Sequence, residues 1–242
     1  MKMRAFAKRN FKEILRDPLT LLFGLGFPGV LIVLLSVIQA NIPVSLFEIQ
    51  HLVPGMTVFG LSFMTLFSAS LITKDRESAF LTRLYATPMK GMDFILGYTL
   101  PQIPIALAQS VFCYLVGFLF GLKLTINILW AVLMILPAAV LFIGLGLLFG
   151  SILTQKQVGG ICGTVLTNLT AWLSGIWFDL DLVGGAFKKI AQLLPFYHAV
   201  SLEQAVFAGN WSEIFPSLLW VCIYAVAAVS LAVLLFLRQM KK

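Results

Sequence analysis

Six runs of about 20 predominantly apolar residues, separated by short polar breaks, govern what this chain can become. They fall at approximately 19–40, 52–73, 94–121, 127–153, 158–178 and 214–237. A helix of that length crosses the ~30 Å hydrocarbon core of a bilayer. The spacing therefore predicts an all-α polytopic membrane protein with six transmembrane helices. Composition agrees, with 60% hydrophobic and 11% charged residues against soluble norms of roughly half and a quarter. The polar segments are too short to bury a soluble core of their own, so any soluble chemistry must come from another chain.

Residues 1–17 place Met3, Phe6, Ala7, Phe11 and Ile14 at helical spacing, with Lys2, Arg4, Lys8, Arg9, Lys12 and Arg16 over much of the remaining surface. This pattern predicts an interfacial helix on an anionic membrane surface. The next apolar run is longer than the ~7 to 15 residues of a signal-peptide core. Spans one and two are expected within 19–73, a cytoplasmic connection at 74–93, spans three to five within 94–178, an extracytoplasmic segment at 179–213, and span six at 214–237.

Basic residues set the orientation. Fourteen lie at the amino terminus, in 73–94, in the TQKQ turn at 154–157 and in the tail, against Lys123, Lys188 and Lys189 on the other side. The positive-inside rule puts both termini in the cytoplasm of a cell inner or plasma membrane. The net charge of +7 reports this asymmetry rather than nucleic-acid binding. Gly117 and Gly121, Gly146 and Gly150, and Gly159 and Gly163 are pairs four apart that permit close helix packing. Pro28, Pro101, Pro104 and Pro137 within the runs predict kinks.

Catalytic patterns are missing: there is no H-E-x-x-H pair, no G-x-S-x-G elbow and no Walker A loop. The chain is read as non-enzymatic, without a catalytic, cofactor or metal site. His51 and His198 stand alone, and Cys113, Cys162 and Cys222 lack metal-site spacing. No ionisable residue falls confidently inside a run, which argues against a carrier driven by an ion gradient. Gln39, Gln102, Gln109 and Asn168 are the candidate polar residues of a pathway, with interhelical hydrogen bonding the favoured alternative.

The stretch TKDRESAFLTRLYATPMKGMDF at 73–94 gathers charges that are scarce elsewhere. Within it Phe80, Leu81, Leu84 and Tyr85 follow helical spacing, predicting a short amphipathic helix from about Asp75 to Ala86, ended by Pro88. Asp75 and Glu77 suit a helix amino terminus. With Arg76 and Arg83 they form the charged face.

DRESAFLTRLYATP, a basic amphipathic amino terminus, SGIWFDLD at 174–181 and IAQLLPFYHAVSLEQAVFAG at 190–209 together resemble the type-2 ATP-binding-cassette (ABC) exporter permeases. One departure is FDLDLVGG, where that family often has a proline after the Ser-Gly pair. The resemblance implies that 74–93 is a coupling helix, in which Asp75, Arg76, Glu77, Phe80, Arg83, Leu84, Tyr85 and Pro88 dock on a nucleotide-binding ATPase subunit. It further implies a re-entrant helical hairpin at 179–213, a twelve-span homodimer or a heterodimer with a related permease, and ATP and Mg held by the partner subunit. Antibiotics, antimicrobial peptides or lipid-like molecules are the implied substrates, and multidrug efflux is among the implied activities. The alternative is a non-transporting immunity or sensor subunit that binds a ligand or partner through the hairpin.

Overall fold

A computed structural model gives the architecture. It describes residues 2–85, 87, 89 and 91–240, excluding the side chains of residues 2, 19, 20, 82, 85, 239 and 240. Fourteen α-helices and two π-helical turns make up the secondary structure of the described residues.

The chain opens with α1 (Lys2–Leu15) and the single turn α2 (Pro18–Leu21), which passes through a π-helical turn (Leu22–Gly26) into α3 (Phe27–Asn41). On α1 the inward face is Phe6, Asn10 and Ile14, four residues apart and all buried. Phe6 lies against Gly97, where a Cβ would stand 2.2 Å from its ring. The Phe6 and Ile14 edge of the apolar stripe of α1 is therefore covered by protein, while Met3, Ala7 and Phe11 stay partly exposed. The partner was not legible, because Gly97 contributes no side chain to any pattern.

Helix α4 (Ile49–Glu77) is the hub, with 89% of its most apolar window buried. After it come α5 (Phe80–Tyr85), α6 (Gly91–Thr99) and α7 (Ile103–Leu119). Pro101 sits in the break between α6 and α7, where its missing N–H interrupts the ladder. The next long helix, α8 (Asn127–Ile152), crosses α4 closely: a Cβ on Gly146 would meet the Thr65 carbonyl oxygen at 2.6 Å, and one on Gly150 would meet Ala69 backbone at 2.9 Å. Thr65 Oγ1 donates to the Phe142 carbonyl at 2.8 Å across the same seam. Of the three glycine pairs, this one performs the packing expected. Gly159 and Gly160 have nothing within 4 Å of an added Cβ.

Beyond α8, the turn α9 (Gln155–Val158) runs through a second π-helical stretch (Gly159–Leu166) into α10 (Thr167–Leu173). The hairpin consists of α11 (Leu180–Val183), α12 (Gly185–Leu193) and α13 (Pro195–Ala208), and α14 (Trp211–Met240) closes the chain. Gly184 and Gly185, at φ 62° and 58°, make the turn between α11 and α12 in a conformation that favours glycine. α13 is seated among α4, α8 and α14 rather than lying over them.

Among the described residues, five helices are long and apolar enough to cross a membrane: Leu22–Asn41, Ile49–Glu77, Gly91–Leu119, Asn127–Ile152 and Trp211–Arg238. The run expected at 158–178 is helical only to Leu173, and it is not among the five. Gln155, Lys156 and Gln157 fill its first turn, and Gly159, Gly160, Gly163 and Asn168 dilute the remainder of the helix.

Candidate functional site

Two structural features concentrate function: a charged junction at the end of the bundle that holds α1 and α5, here the basic end, and an aromatic cavity farther along α4.

At the basic end, the helix expected from Asp75 to Ala86 is divided in two. Asp75, Arg76 and Glu77 form the last turn of α4, Ser78 and Ala79 make a turn, and only Phe80–Tyr85 is a separate helix. The cause is Ala79, which adopts a left-handed φ of 56° that no helix propagates. Each charge on that last turn reaches a different element. Asp75 is buried, accepting from Arg9 Nη1 of α1 at 2.7 Å and from the Tyr98 hydroxyl of α6 at 2.8 Å. Arg76 donates to the carbonyls of Ser151 and Leu153, satisfying acceptors left over where α8 ends. Glu77 accepts from the backbone N–H of Gln155 at 3.0 Å, at the start of α9. One turn of α4 thus binds α1, α6, α8 and α9 together.

The short helix α5 leans on this junction. The Phe80 ring lies 6.4 Å from Phe6 and 4.5 Å from the Arg9 guanidinium carbon, a cation–π contact. Phe80 and Leu84 are half-buried and pack on the core of this chain, Leu81 is buried, and Arg83 is exposed. Phe80 and Leu84 each keep a minor part of their apolar surface exposed. The side chain of Tyr85 and all of Pro88 lie outside the described residues.

The aromatic cavity, about 550 Å³, is walled by three elements: the stretch from Phe23 to Leu31, the α4 residues Phe59 and Phe63, and the stretch from Gly163 to Trp177. Its rings form a connected set, with Phe27 and Phe63 edge to face at 5.7 Å, Phe59 and Phe63 at 5.9 Å, and Phe59 and Trp177 at 6.1 Å. Thr167 and Asn168 are its polar lining, and no charged side chain among the described residues lines it. It can hold a flat or branched apolar molecule and offer it one or two hydrogen bonds.

Asn168 is the one candidate pathway residue that reaches this cavity. Gln102 is buried and donates to Ser68 Oγ of α4 at 2.5 Å, an interhelical bond. Gln109 is buried against Gly60, with its amide 3.3 Å from Cys113 Sγ. Gln39 organises the 42–48 loop, donating to the Val44 carbonyl at 2.8 Å and accepting from Phe47 N–H at 2.5 Å.

A second cavity, about 510 Å³, lies at the hairpin end and is polar, with Glu48, His51, Asp179, Asp181, Lys188 and Glu213 among its lining. Lys188 donates to Asp181, which raises its pKa. His198 stacks on Trp220 with ring centroids 5.1 Å apart, and burial lowers its pKa.

Sequence reading missed Arg9, Tyr98 and Glu203. Arg9 follows Phe6 by three positions, which puts it beside the buried stripe of α1. Glu203 falls in register with Phe196, Val200 and Phe207, and that spacing was visible. Tyr98 carried no signal.

An all-helical bundle of long apolar helices around one buried hub, with a cavity between them, defines a polytopic integral membrane protein. The family model described as ABC-2 type transporter matches residues 1–208, from the amino terminus to the last residue of α13, and the chain belongs to that family. It is therefore a transmembrane permease subunit, and membership implies association with an ATP-binding subunit. No curated protein matches the chain.

Proposed function

We propose that this chain is the membrane subunit of an ATP-driven exporter, in which two permease copies, or one copy and a related permease, line a pathway and α5 docks on a separate ATPase subunit. The observation that carries the reading is the course of α4. One helix bears the Asp75–Glu77 junction at its end and the cavity residues Phe59 and Phe63 along its length. About 18 Å of rigid helix separates Phe63 from Asp75. A displacement of α5 or α1 is passed to α4 through Asp75 and Phe80, and α4 carries it to the cavity wall. ATP and Mg sit in the partner, since this chain has no phosphate-cradling loop.

Six crossings complete the topology. The stretch Gln155–Leu173 is the sixth, less apolar because one of its faces fronts the aromatic cavity instead of lipid. An even number returns both termini to the cytoplasmic side, as the basic residues require. The hairpin then lies at the outer mouth, with α13 re-entrant. The aromatic, uncharged cavity supports a small amphipathic or lipid-like substrate, drug or antimicrobial peptide, with its hydrogen-bonding group toward Asn168.

The test is a pull-down of the purified chain with candidate Walker A ATPase subunits from the same genome, together with efflux of fluorescent amphiphiles from vesicles. Binding through α5, efflux that needs both subunits, and loss of efflux in Phe63→Ala with retained ATPase binding are expected. Failure to bind any such ATPase would favour the immunity or sensor role instead.

A further inference from the structure

The inward stripe of α13 runs Phe196, Val200, Glu203, Phe207, the i, i+4, i+7, i+11 spacing of a helix face turned to a core. Glu203 is 0% exposed, and neither carboxyl oxygen has a hydrogen-bond partner. Its titratable neighbour is Tyr114 of α7, also buried, with its hydroxyl unpartnered and its ring stacked on Phe207 at 6.0 Å.

Among the described residues, no cation faces this carboxyl from the elements around α13. Helices α8 and α10 contain no titratable residue. On α4, His51 at the hairpin end offers its carbonyl to Gln204 on the other face of α13, and Lys74, Asp75, Arg76 and Glu77 belong to the basic end. On α12, Lys188 is held by Asp181 and Lys189 is exposed. On α14, Glu213 lines the polar cavity, Cys222 is exposed, Tyr224 donates to the Leu193 carbonyl, and Arg238 is in the last turn.

An ionised carboxylate without a partner in such surroundings costs several kcal/mol, and the group escapes the cost by holding a proton. Burial raises the Glu203 carboxyl well above the ordinary carboxylate range. Water is close by along the helix: Ser201 and Gln204, on the opposite face of α13, line the polar cavity. A rotation or lift of this one helix separates the dry state from the wet one.

We infer that Glu203 is a proton-binding site of the hairpin: a neutral acid while α13 is seated in the bundle, releasing its proton to water in the polar cavity when the helix is displaced. Seating and proton binding are then one equilibrium. Above the ordinary carboxyl pKa, and up to the raised one, each pH unit shifts it toward the displaced helix by about tenfold.

The test uses the full chain in lipid nanodiscs. Infrared spectra of the parent at neutral pH should contain the carbonyl band of a protonated carboxylic acid in apolar surroundings, absent in Glu203→Gln and retained in Tyr114→Phe. Absence of the band in the parent, or its persistence in Glu203→Gln, overturns the inference. Displacement is read by labelling Val200→Cys in a Cys222→Ala background, corrected for thiolate reactivity with Ser212→Cys. The corrected rate should rise about tenfold per pH unit with Glu203 present and stay flat with Glu203→Gln. Equal slopes in the two backgrounds overturn the coupling. Neither readout requires transport or an ATPase, so failure here is distinct from failure of the exporter reading.

Discussion

The two ends of the bundle treat polar groups in opposite ways. At the basic end, Asp75, Arg76 and Glu77 each find a partner on a different element, and a buried carboxylate is matched by a guanidinium and a phenol hydroxyl. Beyond the junction, from Gln102 through Gln109, Ser110 and Tyr114 to Glu203 at the hairpin, buried polar atoms lack a partner. A satisfied network makes helices move as one body, whereas unsatisfied buried groups lower the cost of an alternative arrangement that would satisfy them. The difference assigns a rigid junction to one end and a movable element to the other.

The contrast is broken most directly at Arg9. Removing it leaves Asp75 buried and charged with a phenol as its remaining partner, and breaking a buried pair costs about 3–5 kcal/mol. Arg9 keeps a side chain 36% exposed, so Arg9→Met should sit at the low end, near 3 kcal/mol. The thermal unfolding midpoint of the purified chain checks this, and Asp75→Asn added to Arg9→Met should recover part of the loss. A loss below ~0.5 kcal/mol would mean that Asp75 needs no counter-charge. The two ends would then be alike.

Arg76→Ala comes next, at about 1.5–2 kcal/mol, because it strips charged donors from two carbonyls at the end of α8 while water can replace some of what is lost. Arg76→Lys should recover little, since one ammonium cannot span both acceptors as a guanidinium does. Equal midpoints for Arg76→Lys and the parent would show that charge, not the two-pronged geometry, holds α8 to α4.

Ala79→Gly acts in the opposite direction. A left-handed alanine costs roughly 1 kcal/mol that glycine does not, part of which glycine returns through the entropy of the unfolded chain. A net gain of about 0.5 kcal/mol is expected, with weaker coupling of α5 to an ATPase because the turn is looser. A lower midpoint would place the strain elsewhere.

Legibility in the sequence followed the range of the forces. Five of the six apolar runs were readable as long helices, because hydropathy over about 20 residues needs no knowledge of neighbours. The charged stretch was readable as a special segment, but not as three separate couplings. That Asp75 turns inward depends on Arg9 and Tyr98, which lie 66 and 23 positions away. The division of the stretch at Ala79 was invisible, since no residue type announces a left-handed alanine. The sequence favours interhelical packing over a pathway role for Gln39, Gln102, Gln109 and Asn168 alike, and only burial against Ser68 and Gly60 separates Gln102 and Gln109 from Asn168. The place of Glu203 in a buried stripe is carried by the period of Phe196, Val200 and Phe207, but that stripe has meaning only once α13 is seated among α4, α8 and α14.

The smallest expected effect lies on α13 itself and separates its two titratable groups by sign. His198 stacks on Trp220, its Nε2 is 2.8 Å from the Gln192 carbonyl, and burial lowers its pKa from 6.5. The unfolded chain then binds the proton more readily than the folded one. The contribution of the neutral ring is therefore complete above about pH 6.5 and is lost as pH falls through the lowered value. The ring is partly open to solvent, so this contribution is small. Glu203 has the reverse slope, because its raised pKa makes the folded chain bind the proton more tightly, so stability falls as pH rises. The Glu203 window opens at the ordinary carboxyl pKa, overlaps that of His198 and carries the larger slope, so unfolding midpoints of the parent should fall as pH rises. In the Glu203→Gln background that fall should vanish and leave the small His198 loss toward acid, which His198→Phe should flatten. If His198→Phe leaves the acid side unchanged, the ring is free to ionise where it stands, and the hairpin end is wetter around α13 than its stacking on Trp220 implies.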